Sequence, residues 1–248
     1  MTPKSIRNSL MILAWATTLL ISLLPDILFK ELTGSLPSWL YGSKVGLVGG
    51  LLLVSLLWKP LRALGLFFAV LLAVYLLEWG VDRGYQSLGD EAWFAGQRPF
   101  LQDMFSVQVP RATIGILLVL IMLILVRRFD RFFFVKGKLD AQAAPIPLIL
   151  TRPPSWRILG PAITGAMCLG LLVFIFAFGK PPSMQALKNV LPLLPFVFLF
   201  AARNAFGEEM LYRATWLGAL EGPVGPVQAL LMTAVYFGMV ISTACRMA

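Results

Sequence analysis

The residues best suited to chemistry lie in one stretch, Arg203-Asn-Ala-Phe-Gly-Glu208-Glu209-Met-Leu-Tyr-Arg213, where two adjacent carboxylates and two guanidiniums sit among apolar neighbours. Read as a helix, adjacent residues point about 100° apart. Glu209 and Arg213 stand at i and i+4, in the Glu-before-Arg order that favours pairing, and a pair can stay charged in a poor solvent. Glu208 has Tyr212 at i+4 and no basic partner there. It is the freer carboxylate, and a carboxylate in an apolar setting is suited to act as a general base on water. The same residues also read as a structural salt-bridge cluster at a helix end, with no chemical role. Glu78 falls at the end of an apolar run and reads as interfacial, and most other acids lie at helix ends or in loops.

Such residues need a scaffold, and the composition says which kind. The chain has 248 residues, 58% hydrophobic and 13% charged, where a soluble domain carries about 25% charged residues. Residues 10–25 and 112–126 hold no charge at all. In water these runs expose too much apolar surface; in lipid a helix satisfies its own backbone hydrogen bonds. The 17 prolines and 21 glycines agree with this, since membrane helices tolerate both. A soluble enzyme is excluded. The expected fold is an all-α polytopic transmembrane helix bundle of about eight helices, at residues 10–29, 45–58, 63–79, 112–126, 158–178, 190–202, 205–220 and 227–240. Several are shorter than the roughly 20 residues that cross a bilayer, and Pro192 and Pro195 predict a kinked or broken sixth helix. Lys4 and Arg7 ahead of the first apolar run resemble a signal peptide. The run is longer than the usual core of about 7–15 residues, and no Ala-x-Ala follows, which predicts a retained first helix.

The net charge of +9 fits cytoplasmic loops, where membrane proteins gather Lys and Arg, better than a nucleic-acid partner, and no nucleic-acid binding is expected. The connection at 127–157 carries Arg127, Arg128, Arg131, Lys136, Lys138, Arg152 and Arg157. The one at 80–111 mixes Asp82, Asp90, Glu91 and Asp103 with Arg83, Arg98 and Arg111. With eight crossings, the basic loop, the N-terminus, Lys59, Arg62 and Arg203 share one side, which is then the richer in Lys and Arg. This predicts an integral, multi-pass protein of the cell (inner) membrane with both termini cytoplasmic. Its parts are N-terminal transmembrane helices (1–126), a basic cytoplasmic loop (127–157) and a second membrane domain (158–248). Arg131-Phe-Phe-Phe-Val-Lys136 reads either as an interfacial anchor or as a helix end running into a loop. Cys168 and Cys245 give no disulfide framework or metal spacing, and Cys168, in an apolar run, is expected to pack.

Glu208-Glu209-x-x-x-Arg213, preceded by Arg203-Asn-Ala-Phe-Gly, resembles the EExxxR motif of the CAAX protease and bacteriocin-processing family. These are intramembrane endopeptidases that include the type II CAAX prenyl proteases. Phe237-Gly-Met-Val-Ile241 is similar to the family's second motif, Phe-Gly-x-x-His, and lies at a suitable distance. The resemblance runs from about residue 193 to residue 241. It implies that Glu208 activates water, that Glu209 is a supporting carboxylate with Arg213 as its partner, and that Phe237 belongs to the supporting second motif. The implied partners are membrane lipid and a membrane-presented peptide or prenylated protein substrate.

The sequence departs from the family in its histidines. Ile241 stands where the family has His, the third motif (His followed by Asn or Asp on a further helix) is missing, and the chain has no histidine. The same absence excludes a Ser–His protease of the rhomboid type and an HExxH zinc protease, and no helix core holds two Asp for a presenilin-like dyad. No metal site can be built from this sequence, and the cofactor is unknown. Three expectations stay open: an endopeptidase in which Glu208 drives hydrolysis, a non-catalytic membrane binding or immunity protein retaining the family bundle, and an inactive product truncated by a frameshift near Ile241. Glu208, Glu209 and Arg213 are expected on one helix near the cytoplasmic mouth, with Glu209 on Arg213 and Glu208 turned inward.

Overall fold

Long apolar runs in this chain become helices, because in lipid only internal pairing satisfies the backbone. The computed structural model describes residues 4–88, 99–126, 137–143, 145, 154–179 and 181–247; at 4–5, 86–88, 99–105, 126 and 240–247 it describes the backbone alone. Helix α1 (Lys4–Ile21) bends by 48° into α2 (Leu24–Thr33). Ser22 sits at the bend, where its hydroxyl donates to the Leu19 carbonyl at 2.7 Å and accepts from the Leu24 N–H at 3.1 Å. Gly34 closes α2 in the left-handed conformation (φ +76°) that glycine adopts freely, and its N–H donates to the Lys30 carbonyl. Helix α3 (Trp39–Leu57), a 3-10 turn at Lys59–Leu64 and α4 (Gly65–Leu88) follow, and α5 (Pro99–Val126) returns beside α4. Then come α6 (Trp156–Phe178), α7 (Met184–Val190) and α8 (Leu194–Glu208). A π-helical segment, Glu209–Leu217, leads into α9 (Gly218–Val224) and α10 (Pro226–Met247).

The fold is an all-α membrane bundle, with no strand among the described residues. Among the described residues, five helices are long and apolar enough to cross a bilayer, and six if the bent pair counts as one crossing. Residues 190–202 and 205–220, expected as two helices, belong to one continuous helical run, Met184–Val224. Pro192 and Pro195 fall in the first turns of their helical segments, where a missing N–H costs little, so they do not break it. The expected loop at 80–111 is largely helix, because α4 continues to Leu88 and α5 already begins at Pro99. Hydropathy fades there as charged side chains enter, but the backbone keeps its helical pairing. The stretch Arg131–Lys136 lies outside the described residues.

Contacts divide the chain into two compact units: Met1–Phe134 with Phe200–Ala248, and Val135–Leu199. This division follows packing, whereas the three segments read from sequence follow loop charge. In the first unit Trp216 is fully buried, edge-on to Phe67 and closely stacked on Tyr236 at 3.9 Å. Phe68, Leu64, Leu71, Val48, Ile21 and Leu220 complete this core. Polar ties fix the helix ends. Buried Lys44 pairs with Asp26 and donates to the Ser22 carbonyl at 2.7 Å, while the Tyr75 hydroxyl donates to the Ile21 carbonyl. In the second unit a single antiparallel bridge joins Gln142 to Ser155, and Ser183 caps α7 through the Ala186 N–H. Helix α6 buries none of its residues, and Cys168 is exposed on it rather than packed as expected.

The ends of the first unit can be told apart by contact. Arg7 lies against Gly225 (φ +89°), so tightly that a Cβ there would sit 2.8 Å from Nη2. The start of α1, the Lys59–Leu64 turn and the α9–α10 turn therefore share one end. Ile21, Tyr75 and Lys44 mark the other. Helix α10 sets out from the same end as α1 and runs the same way, so residues 4 and 247 lie at opposite ends of the unit.

Candidate functional site

The two glutamates of the EExxxR string part company at the junction of α8 and the π segment. Glu208 is the last residue of α8, half-buried, and accepts a hydrogen bond from Asn204 Nδ2 one turn earlier at 2.7 Å. No protein hydrogen bond reaches its other oxygen among the described residues. Glu209 opens the π segment and points outward, with Oε2 2.8 Å from Arg213 Nη1. These two side chains are 47% and 61% exposed, so the pair lies on the outside of the unit. The π hydrogen bonds reach one residue further back than α ones, as in Gly218 N–H to the Arg213 carbonyl. The i,i+4 pairing expected for an α-helix is kept in this wider turn.

Glu208 lines a cavity of about 330 Å³. Helix α4 contributes Glu78, α5 contributes Gln108 and Arg111, and α8 contributes Arg203 and Asn204. Tyr212 of the π segment and Phe237 of α10 close the apolar side, with their rings 4.7 Å apart. Helix α10 is thus packed on the π segment. Arg203 is anchored, with Nη1 donating to Gln108 Oε1 at 2.8 Å. Arg111 and Glu78 make no hydrogen bond or ion pair among the described residues. Helices α5 and α8 come close at Gly115 and Gly207, where a Cβ on Gly115 would touch the Gly207 Cα at 4.0 Å. Small residues there let the two walls approach.

A second, more open cavity of about 480 Å³ adjoins the first and shares Glu78, Arg111 and Ile114 with it. Both lie toward the Tyr75 end of the unit: Glu78 is about 20 Å along α4 from Gly65. The cavity is therefore nearer the end opposite residue 4.

Of the site residues expected from sequence, Glu208 and Phe237 line the cavity, while Glu209 and Arg213 do not. The side chain of Ile241 lies outside the described ones. Glu78, Gln108, Arg111, Asn204 and Tyr212 were not singled out by spacing. Their one sequence signal is polarity at the margin of apolar runs, as at Glu78 and Arg111, which reads equally as a helix end. Among the described residues no three His, Cys, Asp or Glu side chains cluster as metal ligands. No protein-family model, curated protein or solved structure matches this chain.

Proposed function

We propose that the Glu208 cavity is the water-activating site of an intramembrane endopeptidase of the CAAX-protease kind. The observation that carries this reading is the separation of the two glutamates. Glu208 faces an internal cavity with one oxygen free of protein hydrogen bonds, and Glu209 is held outside by Arg213. In this reading the Glu208 carboxylate takes a proton from a water in the cavity, and the oxygen attacks the scissile carbonyl carbon. Negative charge then develops on the carbonyl oxygen, where the guanidinium of Arg203, already fixed by Gln108, offers its remaining N–H donors. Glu208 passes its proton to the leaving amine, the C–N bond breaks, and two peptide fragments result. Asn204 holds the Glu208 carboxylate in orientation, and Tyr212 and Phe237 form the apolar wall.

The substrate class is a peptide segment presented within the membrane, from a short peptide or a prenylated protein. The protein sits in the cell (inner) membrane with the Lys4, Arg7, Lys59 and Arg62 end cytoplasmic, by the bias of basic residues to that side. The cavity then lies in the half away from the cytoplasm. Turnover is slow, because the family's histidine donors are missing and each such donor is worth about 10²–10³ in rate. That same lack of histidine favours a second reading, a non-catalytic binding or immunity protein that keeps the bundle. Purified chain in liposomes, given a membrane-presented peptide library, separates the two. Cleavage lost in Glu208→Gln supports the peptidase. Cleavage that survives this change sinks it, and peptide binding without any cleavage supports the second reading.

A further inference from the structure

The open cavity of about 480 Å³ has no part in the hydrolysis just described. It is lined by Tyr41, Glu78, Trp79, Asp82, Arg83 and Arg111. We propose that it is a binding site for a zwitterionic phospholipid. The lipid phosphate lies on the guanidiniums of Arg83 and Arg111, and its ammonium lies on the carboxylates of Glu78 and Asp82, against the rings of Tyr41 and Trp79.

Three observations carry this. The first is depth. Tyr41 stands at the start of the apolar span Trp39–Leu57, Asp82 and Arg83 in the last turn of Lys59–Tyr85, and Arg111 in the second turn of Ser106–Leu125. These are corresponding ends of three spans, the level at which aromatic and basic side chains meet headgroups. The second is charge. Two carboxylates and two guanidiniums line one cavity, and no ion pair joins them to each other among the described residues. A lone anion would meet both carboxylates, and a lone ammonium both guanidiniums; a zwitterion satisfies all four. Arg83 already lies over the Trp79 ring at 4.9 Å, which keeps its edge available for an anion.

The third observation is the grading of the walls. Toward the bilayer interior, one face of α4 passes from Arg83 through Trp79 to Leu76, and both Trp79 and Leu76 are exposed. Helix α5, running the other way, passes from Arg111 through Ile114 to exposed Leu117. Both walls change from charged to apolar in one direction, which is the order of groups along a lipid from headgroup to acyl chain. A soluble zwitterion, such as a short peptide with free termini, would leave the apolar part of these walls uncovered.

The test is native mass spectrometry of the full chain, purified in detergent and titrated with phosphatidylethanolamine, phosphatidylglycerol and diacylglycerol of identical acyl chains. Phosphatidylethanolamine is expected to bind about tenfold more tightly than phosphatidylglycerol, the value of one charge-assisted contact, and about a hundredfold more tightly than diacylglycerol, which lacks both charges. Asp82→Asn should remove most of the preference over phosphatidylglycerol, and Arg111→Gln about tenfold of the preference over diacylglycerol. Arg83→Lys should keep most of the preference over diacylglycerol that Arg83→Gln loses, a contrast that misfolding would not produce. Equal binding of phosphatidylethanolamine and phosphatidylglycerol would overturn the site, as would a preference over phosphatidylglycerol unchanged in Asp82→Asn or a preference over diacylglycerol unchanged in Arg111→Gln. So would Arg111-dependent binding of a short peptide with free termini in place of the lipid. Glu208→Gln leaves the lipid preference unchanged, so this proposal and the peptidase reading can fail separately.

Discussion

Exchanging each motif glutamate for glutamine in turn should give unequal results, although the two are neighbours in sequence. Glu208 lines the cavity, and glutamine keeps its shape and an acceptor for Asn204 Nδ2, so Glu208→Gln should leave the fold intact. In the proposed mechanism it removes the base. Positioned general bases contribute about 10²–10⁴ in rate, which corresponds to about 2.7–5.5 kcal/mol of barrier. Glu209 pairs with Arg213 at 2.8 Å, but both side chains are about half exposed. Such i,i+4 pairs contribute about 0.3–0.5 kcal/mol to stability, and the pair does not reach the cavity. Glu209→Gln should therefore shift stability by less than about 1 kcal/mol and turnover by only a few-fold on the same scale. Single-turnover cleavage of a membrane-anchored fluorogenic peptide in liposomes measures the rates, and thermal unfolding in detergent checks the fold. Comparable losses from both changes would show that the outward pair belongs to the chemistry after all.

Lys44→Met should cost about 3 kcal/mol, because it strands Asp26; the low end of the buried-pair range applies, since Asp26 keeps 26% exposure. Adding Asp26→Leu should recover most of that loss, and unfolding in mixed detergent measures both; a single change within about 0.5 kcal/mol of the unmodified chain would demote the pair. Trp216→Ala should cost about 3–5 kcal/mol in the same assay, because its ring is fully buried between Phe67 and Tyr236. In intact cells, with Cys168 and Cys245 replaced by serine, an impermeant thiol reagent should label Ser35→Cys and leave Lys59→Cys unlabelled. The reverse pattern would invert the proposed orientation.

Hydropathy made most of the helices legible, and the reason is physical. Lipid admits few polar groups, so a charge-free run such as 112–126 has few structures open to it. It stops short where side chains leave the lipid for an internal cavity. Helix α5 begins at Pro99, although its apolar part starts only after Arg111, because Gln108 and Arg111 face a cavity rather than acyl chains. The prolines at 192 and 195 mislead in the opposite sense. Proline suggests a break, yet in the first turn of a helical segment its missing N–H has no partner to lose. That local detail joins two expected helices into one continuous run.

The site was legible only as far as one helix reaches. Glu209 with Arg213 follows from spacing alone, because both partners lie one turn apart on the same segment. The inward aspect of Glu208 follows from the same spacing once its neighbour faces out. Its partners across the cavity do not, since Glu78 and Arg111 come from α4 and α5, more than 90 residues earlier in the chain. What brings them level with Glu208 is packing that no local pattern encodes: the close approach at Gly115 and Gly207, and Tyr212 set on Phe237. A charge at the margin of an apolar run is therefore ambiguous in a way a paired charge is not. Glu78 reads as a helix end until α5 is laid beside it. Only then does it become the wall shared by two cavities, one facing Glu208 and the other the bundle's rim.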